Sequence, residues 1–484
     1  MTIKTPDWVK NAVFYQIFPD RFAIGSQTPK GHWQASSLEG WDATPTLQGY
    51  KGGNLWGVIE QLDYLKDLGI KAIYFTPIFQ SASNHRYHTH DYYQIDPMLG
   101  GNVAFEALIE AAHQKDLKVI LDGVFNHASR GFFFFNDILE NGPYSPWLDW
   151  FKIHGWPLSA YDGSKPANYE GWLDNRALPV FNHDNPQARE YIMQVGEYWI
   201  HQGIDGWRLD VPEEIKTPGF WQEFRTRIKA INPEAYIVGE IWFNASEWLD
   251  GTQFDGVMNY MFAVPTIAFV AGDRFRRECS QFHYHPYPSI SAEEYAIKIK
   301  NLLDLYPWEI QLTQLNLLDS HDTARLITSV GGDKKSVELA TILLFTFPGA
   351  PSIFYGDEVG LIGAKDPDSR RGFPKQENWD LEVLNYHRKL IDLRNQYSVL
   401  RTGSYQILYA EDSVYVFARY LEQEVMIVAI NNDPQVQRVN FSTPSLHSTP
   451  SHLLYGDAQI SWQVVEKQNY LELTIPPRSG LIIG

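Results

Sequence analysis

The hydrophobic and polar positions follow two distinct patterns along most of the chain. Short apolar runs predict buried strands, and segments with apolar residues at three- and four-residue steps predict helices with one buried face. The two kinds of segment follow one another eight times, and the helix is least distinct after the sixth strand. The predicted strands are Ala12–Phe18, Lys71–Ile78, Leu117–Phe125, Trp207–Val211, Ala235–Ile241, Gly256–Tyr260, Leu312–Leu318 and Ser352–Tyr355.

A repeated strand–helix unit of this number is typical of a closed parallel barrel, so we predict an α/β fold built on a (β/α)8 TIM barrel. Asp184 or Asn185 is expected to cap one helix, with Pro186 in its first turn. The predicted helices are Trp56–Leu68, Val103–Asp116, Asn185–Gln202, Phe220–Ile231, Ala292–Leu305, Lys335–Phe345 and Leu381–Asn395.

Two regions depart from this rhythm. Residues 128–182 are rich in aromatics, Gly, Pro and Asn without a sustained period, which indicates an irregular subdomain inserted after the third strand. Residues 401–484 consist of short alternating runs and turns, which predict a C-terminal β-sandwich. The barrel would then comprise residues 1–127 and 183–400.

Composition and charge exclude several classes of partner and location. The 484 residues carry a formal net charge of −18, which argues against nucleic acid or an anionic membrane as the partner. The start, Met1–Trp8, has no apolar signal core, and no long apolar span follows. Cys279 is the single cysteine, so an intramolecular disulfide is excluded. We therefore expect a cytoplasmic protein.

Three predicted strands end on acidic residues, where the carboxyl ends of barrel strands face one opening. The stretch Gly206–Val211 carries Arg208 and Asp210 on one face, since side chains two residues apart share a face of a strand. A structural salt bridge is the alternative explanation for that pair alone. Glu240 and Asp322 follow two further apolar runs, and three such carboxylates together indicate a site of chemistry.

A pair of carboxyls across a barrel opening is what glycoside hydrolysis requires, one as nucleophile or base and one as acid. Arg208 beside Asp210 is expected to keep that aspartate ionised, which suits a nucleophile. Glu240 has no basic neighbour in the sequence and lies beside Trp242, which favours the raised pKa of a general acid. Asp322 is expected to stabilise an oxocarbenium-like transition state.

Four stretches, in chain order, resemble the four signature regions of the α-amylase superfamily, glycoside hydrolase family 13. They are Asp122–His127 (DGVFNH), Gly206–Val211 (GWRLDV), Gly239–Trp242 (GEIW) and Ser320–Thr323 (SHDT). The resemblance extends over residues 8–400. It is closest to the neopullulanase, cyclomaltodextrinase and maltogenic amylase group, through Phe254–Tyr260 (FDGVMNY) and Leu178–Asn182 (LPVFN).

This resemblance implies a retaining hydrolase that cleaves α-1,4 bonds in maltooligosaccharides, cyclodextrins or starch-type glucans through a covalent glycosyl-enzyme. By motif position, Asp210 would be the nucleophile, Glu240 the acid and then base, and Asp322 the third catalytic carboxylate. Tyr87 would stack under the sugar ring. The residues implied to bind substrate are His85, Tyr87, Asp122, His127, Arg208, Trp242, His321, Asp366 and Arg370.

Alternatives stay open for several residues. Asp122 and Asn126 are as readily explained by ties between the third strand and the insert. His85 lies in a loop with two further histidines, which a metal cluster would also explain. Phe132–Phe135 is more typical of packing within the insert than of a sugar platform. Arg325 is a further candidate for substrate contact.

The sequence also departs from the group it resembles. Relatives usually carry an N-terminal β-domain that shapes their dimer, whereas here the barrel begins close to Met1, so we expect that domain to be lacking. A monomer and a homodimer both stay open. The first loop, Asp20–Gln27, lacks the set of oxygen ligands that calcium needs, so calcium is not supported there and stays open elsewhere. No cofactor is expected to be required. Phe243 and Pro212–Glu214 differ from the group's usual wording at the leaving-group side.

Three functions fit these observations. A retaining α-glucan hydrolase is the main prediction, and a transglycosylase or an α-1,6-debranching enzyme of the pullulan type on the same site is the first alternative. A non-catalytic relative that binds glucan or a partner protein is the alternative of another class, which the presence of all three carboxylates disfavours. The expected partner is an α-glucan oligosaccharide or polysaccharide, with no nucleic acid and no membrane.

Overall fold

The computed structural model describes residues 3–27, 38–443, 449–465 and 468–484. Met1 and Thr2, at the start of the stretch predicted to lack a signal core, lie outside the described residues. Within the predicted C-terminal region, residues 444–448 and 466–467 also lie outside them. Over the described ranges, none of the helices has the length and apolarity needed to cross a membrane.

Eight parallel strands form one sheet in chain order, with the eighth strand beside the first. A parallel bridge from Met258 to Leu315 joins the sixth strand to the seventh and closes the sheet. The predicted (β/α)8 barrel is thereby confirmed. Nearly all strand residues are buried, because one face fills the barrel and the other lies under the helices. The strands are Phe14–Ile17, Ala72–Phe75, Lys118–Gly123, Gly206–Leu209, Tyr236–Gly239, Gly256–Val257, Leu315–Asn316 and Ala350–Phe354.

The sixth and seventh strands are shorter than predicted. The predicted strand Gly256–Tyr260 ends at Val257, because Asn259 caps a helix over Tyr260–Ala271 with its side chain. Ten of the 12 residues of this helix are buried, so it has no polar face and no amphipathic period that the sequence pattern would reveal. The seventh strand is reduced to Leu315–Asn316.

Helices surround the barrel close to the predicted positions. Asn185 caps the helix Pro186–His201 as expected, since its side chain accepts two backbone N–H groups of the first turn. The predicted helix Trp56–Leu68 is instead two helices separated by one residue with non-helical backbone angles. The helices of the described residues are Asp7–Lys10, Pro19–Phe22, Leu55–Glu60, Leu62–Leu68, Gly101–Gln114, Phe133–Asn141, Pro186–His201, Phe220–Ile231, Tyr260–Ala271, Ala292–Leu305, Trp308–Gln311, Leu326–Ser329, Lys334–Thr346, Leu381–Gln396 and Ser398–Thr402, besides short 3₁₀ turns.

A hairpin between the second barrel strand and the next helix carries two predicted site residues, His85 and Tyr87, in its connecting loop. Arg86 between them is buried with a positive φ of 63° and pairs with Asp96 at 3.1 Å. This inward ion pair directs its two neighbours towards the barrel opening. The hairpin strands are Phe79–Ser81 and Thr89–Ile95.

The region predicted as an insert, 128–182, has little regular structure apart from one helix of nine residues. An antiparallel bridge between His127 and Val180 ties its two ends together. Phe132 and Phe135 are buried, which favours packing within the insert over a sugar platform for that aromatic run.

The C-terminal region consists of a five-stranded and a three-stranded antiparallel sheet, which confirms the all-β prediction. Tyr415, Phe417 and Val428 on one face of the larger sheet belong to the same apolar core as the barrel. Val416 and Ile427 on the opposite face pack against the smaller sheet. The strands are Ser404–Glu411, Val414–Leu421, Glu424–Asn431, Gln437–Ser442, Leu453–Tyr455, Gln459–Val465, Gln468–Ile475 and Ser479–Ile483.

Candidate active site

The three carboxylates predicted to be catalytic line one cavity of about 630 Å³ at the carboxyl ends of the barrel strands. Asp210 directly follows the fourth strand, and Glu240 directly follows the fifth. Asp322 lies in the turn after the seventh strand. The structure therefore brings together the three acids that the sequence places at separate strand ends.

One buried guanidinium, that of Arg208, contacts three carboxylates. Its Nη1 donates to both carboxylate oxygens of Asp122, at 3.0 and 2.9 Å, and to Oδ1 of Asp210 at 2.9 Å. Its Nη2 lies 2.8 Å from Oε2 of Glu240, without the alignment of a hydrogen bond. Glu240 has no basic neighbour in the nearby sequence, and Arg208 reaches it from the adjacent strand.

Burial raises the pKa of Asp210 well above its ordinary value, and Glu240 and Asp122 raise it further against the opposing charge of Arg208. Burial likewise raises the pKa of Glu240, and that of Asp122 to about 6. Arg208 opposes the rise in the pKa of Asp210, but its one positive charge is divided among three carboxylates, so the three are not all ionised together. Such a cluster retains a proton near neutral pH, which acid catalysis requires.

The third carboxylate, Asp322, is held by two neighbours. Arg370 Nη2 lies 3.5 Å from its Oδ1, and His321 Nε2 lies 3.2 Å from its Oδ2. Arg370 also pairs with Asp366 at 3.1 Å and donates its Nε–H to the carbonyl oxygen of His321 at 2.9 Å. The loop that carries Asp366 and Arg370 is thus fastened to the segment after the seventh strand.

Nine of the 12 predicted site residues line the cavity, whereas Asp122, Arg208 and His321 lie behind its wall. Gln16 Nε2 donates to Nδ1 of His321 at 2.7 Å, so the neutral ring carries its proton on Nε2, 2.6 Å from the Tyr87 hydroxyl. That hydroxyl donates to Oδ2 of Asp122 at 3.0 Å. From behind the wall, Asp122 and His321 thus contact the Tyr87 hydroxyl, and Arg208 contacts Asp210.

Two predicted histidines of the cavity wall are neutral. Burial lowers the pKa of His127 to about 3, and it lowers that of His85 well below the ordinary value. The His127 ring stacks on Trp172, with centroids 5.1 Å apart, and Asn126 Nδ2 lies 3.3 Å from its Nδ1. Its Nε2 has no hydrogen-bond partner among the described residues. A neutral ring nitrogen without a protein partner is suited to form a hydrogen bond with a sugar hydroxyl.

Comparison with known proteins gives the family. Residues 16–378 match the model described as the alpha amylase catalytic domain, and residues 403–483 match the alpha-amylase C-terminal domain. The chain belongs to the α-amylase family of glycoside hydrolases. This confirms both the predicted family and the predicted class of enzyme, an α-glucan hydrolase.

Named relatives of this α-amylase-family enzyme support the same assignment. It is 41% identical to neopullulanase 2 of Thermoactinomyces vulgaris, over 99% of this chain and 78% of that protein. It is also 41% identical to a cyclomaltodextrinase of Bacillus sp, over 88% of this chain and 74% of that protein. The crystal structure of the debranching enzyme from Nostoc punctiforme is 66% identical with a TM-score of 0.94, and the match covers 100% of both chains.

The α-amylase-family cleft has wall residues that the sequence did not indicate. Trp172 and Leu173 come from the insert, and Gln281, Phe282 and His283 come from the segment before the helix Ala292–Leu305. Leu173 and Phe282 are exposed and have positive φ angles of 49° and 45°. Neither periodicity nor a family motif marks such positions, because distant loops bring them to the cleft.

Arg325, a sequence-based candidate for substrate contact, is wholly buried outside the cavity. Its Nη1 donates to Oδ1 of Asp357 at 2.6 Å, and its Nε donates to the carbonyl oxygen of Ser369 at 2.8 Å. Arg325 therefore fixes the loop of Asp366 and Arg370 from behind and does not reach the substrate.

Metal ligation finds little support in the described part of the chain. No group of three or more His, Cys, Asp or Glu residues is placed there to hold an ion, the histidines of the hairpin loop included. In the first loop, Asp20 pairs with Arg21 at 2.7 Å and accepts the backbone N–H groups of Lys51 and Gly52. Its oxygens are used by protein donors, so this loop does not fit calcium. The absence of a cofactor requirement stays a prediction.

Proposed function

We propose that this enzyme hydrolyses α-glucans with retention of configuration, with Asp210 as nucleophile and Glu240 as acid and base. The observation that carries the proposal is that both carboxylates contact the one guanidinium of Arg208, at 2.9 and 2.8 Å. Two carboxyls that share one side-chain group lie close together, as in retaining glycosidases, where they are about 5 Å apart.

Arg208 also distinguishes the two acids. It gives Asp210 an aligned hydrogen bond, whereas its contact with Glu240 is unaligned. Asp210 thus accepts a hydrogen bond from a charged donor, whereas Glu240 accepts from the neutral N–H groups of Trp242 and Val211, which favours the ionised form on Asp210. The pKa values of both acids are raised, and the difference in their contacts with Arg208 places the retained proton on Glu240 as the general acid.

In the first step, Asp210 attacks the anomeric carbon while Glu240 transfers its proton to the departing glycosidic oxygen. In the second step, Glu240 takes a proton from water, and the water oxygen attacks the same carbon and displaces Asp210. The two inversions restore the α configuration. Asp322, held by Arg370, and the neutral His127 are positioned to bind hydroxyls of the reacting sugar.

The proposed substrates are α-1,4-linked maltooligosaccharides, cyclodextrins or starch-type chains, since relatives at 41% identity are named neopullulanase and cyclomaltodextrinase. Cleavage of α-1,6 branches is the second candidate. It is favoured by 66% identity over the whole chain to a protein described as a debranching enzyme. Transglycosylation, with a sugar in place of water in the second step, is the alternative on the same site.

Initial rates on a cyclodextrin, a linear maltooligosaccharide and an α-1,6-branched oligosaccharide, at matched glucose content, would test these assignments. The first product should be the α-anomer by NMR, and a β-anomer would exclude the retaining mechanism. The fastest substrate decides between α-1,4 and α-1,6 cleavage, and products longer than the substrate reveal transfer. Binding without turnover of any of the three would show a non-catalytic glucan-binding relative.

Cellular location and assembly are part of the proposal. A cytoplasmic enzyme is supported by 35% identity to a protein named intracellular maltogenic amylase in Bacillus subtilis. A monomer of 55.7 kDa and a homodimer both fit the proposed function. Sedimentation velocity at several protein concentrations distinguishes them, and fractionation of cells that express the native gene tests the location.

A further inference from the structure

A small second cavity lies between the last two barrel strands and the helices Lys334–Thr346 and Leu381–Gln396. Its volume is about 30 Å³, and among the described residues it shares no wall residue with the substrate cavity. Most of its wall is apolar, but the carboxyl groups of Asp319 and Asp357 belong to it. Asp319 is buried, and the side chain of Asp357 is 17% exposed. Neither group takes part in the proposed catalytic steps.

The two carboxyl groups are in hydrogen-bond contact with each other. Two carboxylates so close in an apolar wall do not both ionise, so the pair shares a proton that belongs to neither residue alone. Burial raises the pKa of both groups, and the positive charge of Arg325, 2.6 Å from Asp357, opposes the rise. Near neutral pH the pair therefore carries one negative charge, which matches the one positive charge of Arg325.

The other titratable groups around the pair are neutral near neutral pH. Burial lowers the pKa of His387 to about 4, and its Nδ1 donates to the carbonyl oxygen of Val383 at 2.9 Å. The helix Lys334–Thr346 contributes only uncharged side chains to the wall. Burial raises the pKa of each hydroxyl or thiol group that the remaining segments bring near the pair or Arg325, namely those of Cys279, Tyr284, Tyr355 and Tyr386.

The pair connects two segments of the substrate site. Oδ2 of Asp319, three residues before the third catalytic carboxylate, accepts the N–H of Leu326 at 2.5 Å and so fixes the backbone beside Arg325. The side chain of Arg325 donates to Asp357 and to the carbonyl oxygen of Ser369, in the loop proposed to bind sugar. The contact between the two carboxyl groups therefore couples the segment after the seventh strand to that loop.

We infer that the proton shared by Asp319 and Asp357 holds the loop of Asp366 and Arg370 in its sugar-binding position, with Asp319 as a positioning residue. Loss of the proton leaves two like charges in contact across an apolar wall, and their repulsion separates the two segments. Sugar binding then weakens at alkaline pH, while the two reacting carboxyls, which follow other strands, are spared. The effect on sugar binding rests on the proposed function, whereas the shared proton does not.

Asp319→Asn tests the shared proton. The amide still accepts the N–H of Leu326 and donates to Asp357, but it has no proton to lose. Because folding raises the pKa of the pair, folded wild type binds about one proton more than the unfolded chain above about pH 4, and its stability falls as pH rises to that raised pKa. Urea denaturation at several pH values should give a proton number about one lower for Asp319→Asn. Equal numbers would overturn the shared proton.

Kinetics on the fastest of the three oligosaccharides named above test the positioning role. At alkaline pH, KM of wild type should exceed that of Asp319→Asn about threefold to tenfold, with kcat values within about twofold of each other. Asp319→Leu keeps the volume of the side chain but cannot hydrogen-bond to Asp357, so its KM should be raised at every pH, and the Asn variant should restore it.

Asp392→Asn is the control, since it alters an exposed carboxyl of the helix Leu381–Gln396 and should change neither the proton number nor KM. A KM that depends on pH equally in wild type and Asp319→Asn would overturn the positioning role. A wild-type enzyme inactive on all three oligosaccharides would overturn the proposed function and the positioning role with it, but not the measured proton number.

Discussion

Amide replacements of Asp210 and Glu240 should separate the roles of the two residues. Asp210→Asn removes the nucleophile, so turnover should fall at least about 10³-fold on maltooligosaccharides and on aryl glycosides alike. Glu240→Gln should cause a similar fall on maltooligosaccharides, but a smaller one in the first step on 4-nitrophenyl α-maltoside, whose leaving group needs no proton. Stopped-flow release of nitrophenol measures that step.

Both replacements preserve side-chain shape, so thermal melts close to wild type serve as the folding control. Near wild-type turnover by either variant would refute the role assigned to that residue. Equal losses of the two variants on the aryl glycoside would refute the distinction between nucleophile and acid.

The pH dependence of the reaction is set in part by Trp242. Its N–H donates to Oε1 of Glu240 at 3.1 Å, and its ring stacks on Tyr260 with centroids 3.7 Å apart. Trp242→Phe keeps an aromatic ring for stacking but removes a donor that stabilises the carboxylate, so the pKa of Glu240 should rise further. Since the acid form is the active one, rate is lost as pH rises through that pKa.

We therefore expect the basic limb of kcat/KM against pH to move upward by about one unit in Trp242→Phe. Phe243→Leu alters the neighbouring aromatic residue, which makes no hydrogen bond to Glu240, and should leave the limb in place. A limb that moves downward in Trp242→Phe would contradict this account of the Glu240 pKa.

For individual residues, the sequence predicted which carboxylates come together but not which charged groups surround them. Asp210, Glu240 and Asp322 were recognisable because strand-end carboxylates of a barrel converge. The contact of Arg208 with Glu240 was not, because it depends on which strands pair and at what register. Trp172 was missed for a related reason: a loop brings it to His127, and no periodicity governs that loop.

Among the structural elements, the loop of Asp366 and Arg370 depends on the buried Arg325. Arg325→Met should leave the carbonyl oxygen of Ser369 unpaired and remove the positive charge beside the buried carboxyl pair of Asp319 and Asp357. We expect the free energy of unfolding to fall by about 3 kcal/mol. KM should rise more than kcat falls, because the role proposed for Asp366 and Arg370 of this loop is to bind sugar.

Calorimetry and steady-state kinetics measure the two effects of Arg325→Met. Arg371→Met is the matched control, since Arg371 lies in the same loop but is half-buried and pairs with Asp368. A larger effect of Arg371→Met, or an unchanged KM in Arg325→Met, would show that Arg325 does not position this loop.

Helices were predicted correctly where one face of the segment is apolar and the other is polar. The helix Pro186–His201 was foreseen together with its cap, because a polar face and a capping Asn mark it. The helix Tyr260–Ala271 was not, because its burial on nearly every side removes the contrast between faces. The split between Leu55–Glu60 and Leu62–Leu68 was also missed, since the apolar period continues across the break.

For the whole molecule, the change from strand–helix units to short alternating runs distinguished the barrel from the C-terminal region. It did not predict how the two regions pack against each other. The larger C-terminal sheet contributes side chains to the core of the barrel, so the two regions share buried apolar surface. Arg419 adds a polar tie: it is fully buried and donates to the carbonyl oxygens of Thr346, Leu400 and Gly403.

Arg419→Met should therefore destabilise barrel and C-terminal region together. It leaves three buried carbonyl oxygens without this donor, at a cost of about 1–3 kcal/mol each before relaxation. Calorimetry should show one transition, several degrees below that of wild type. Because Arg419 does not line the cavity, kcat at 25 °C should stay unchanged.

Arg438→Met removes an exposed arginine of the smaller sheet and should leave the transition in place. Two separate transitions in Arg419→Met, with that of the barrel unmoved, would show that the regions fold independently.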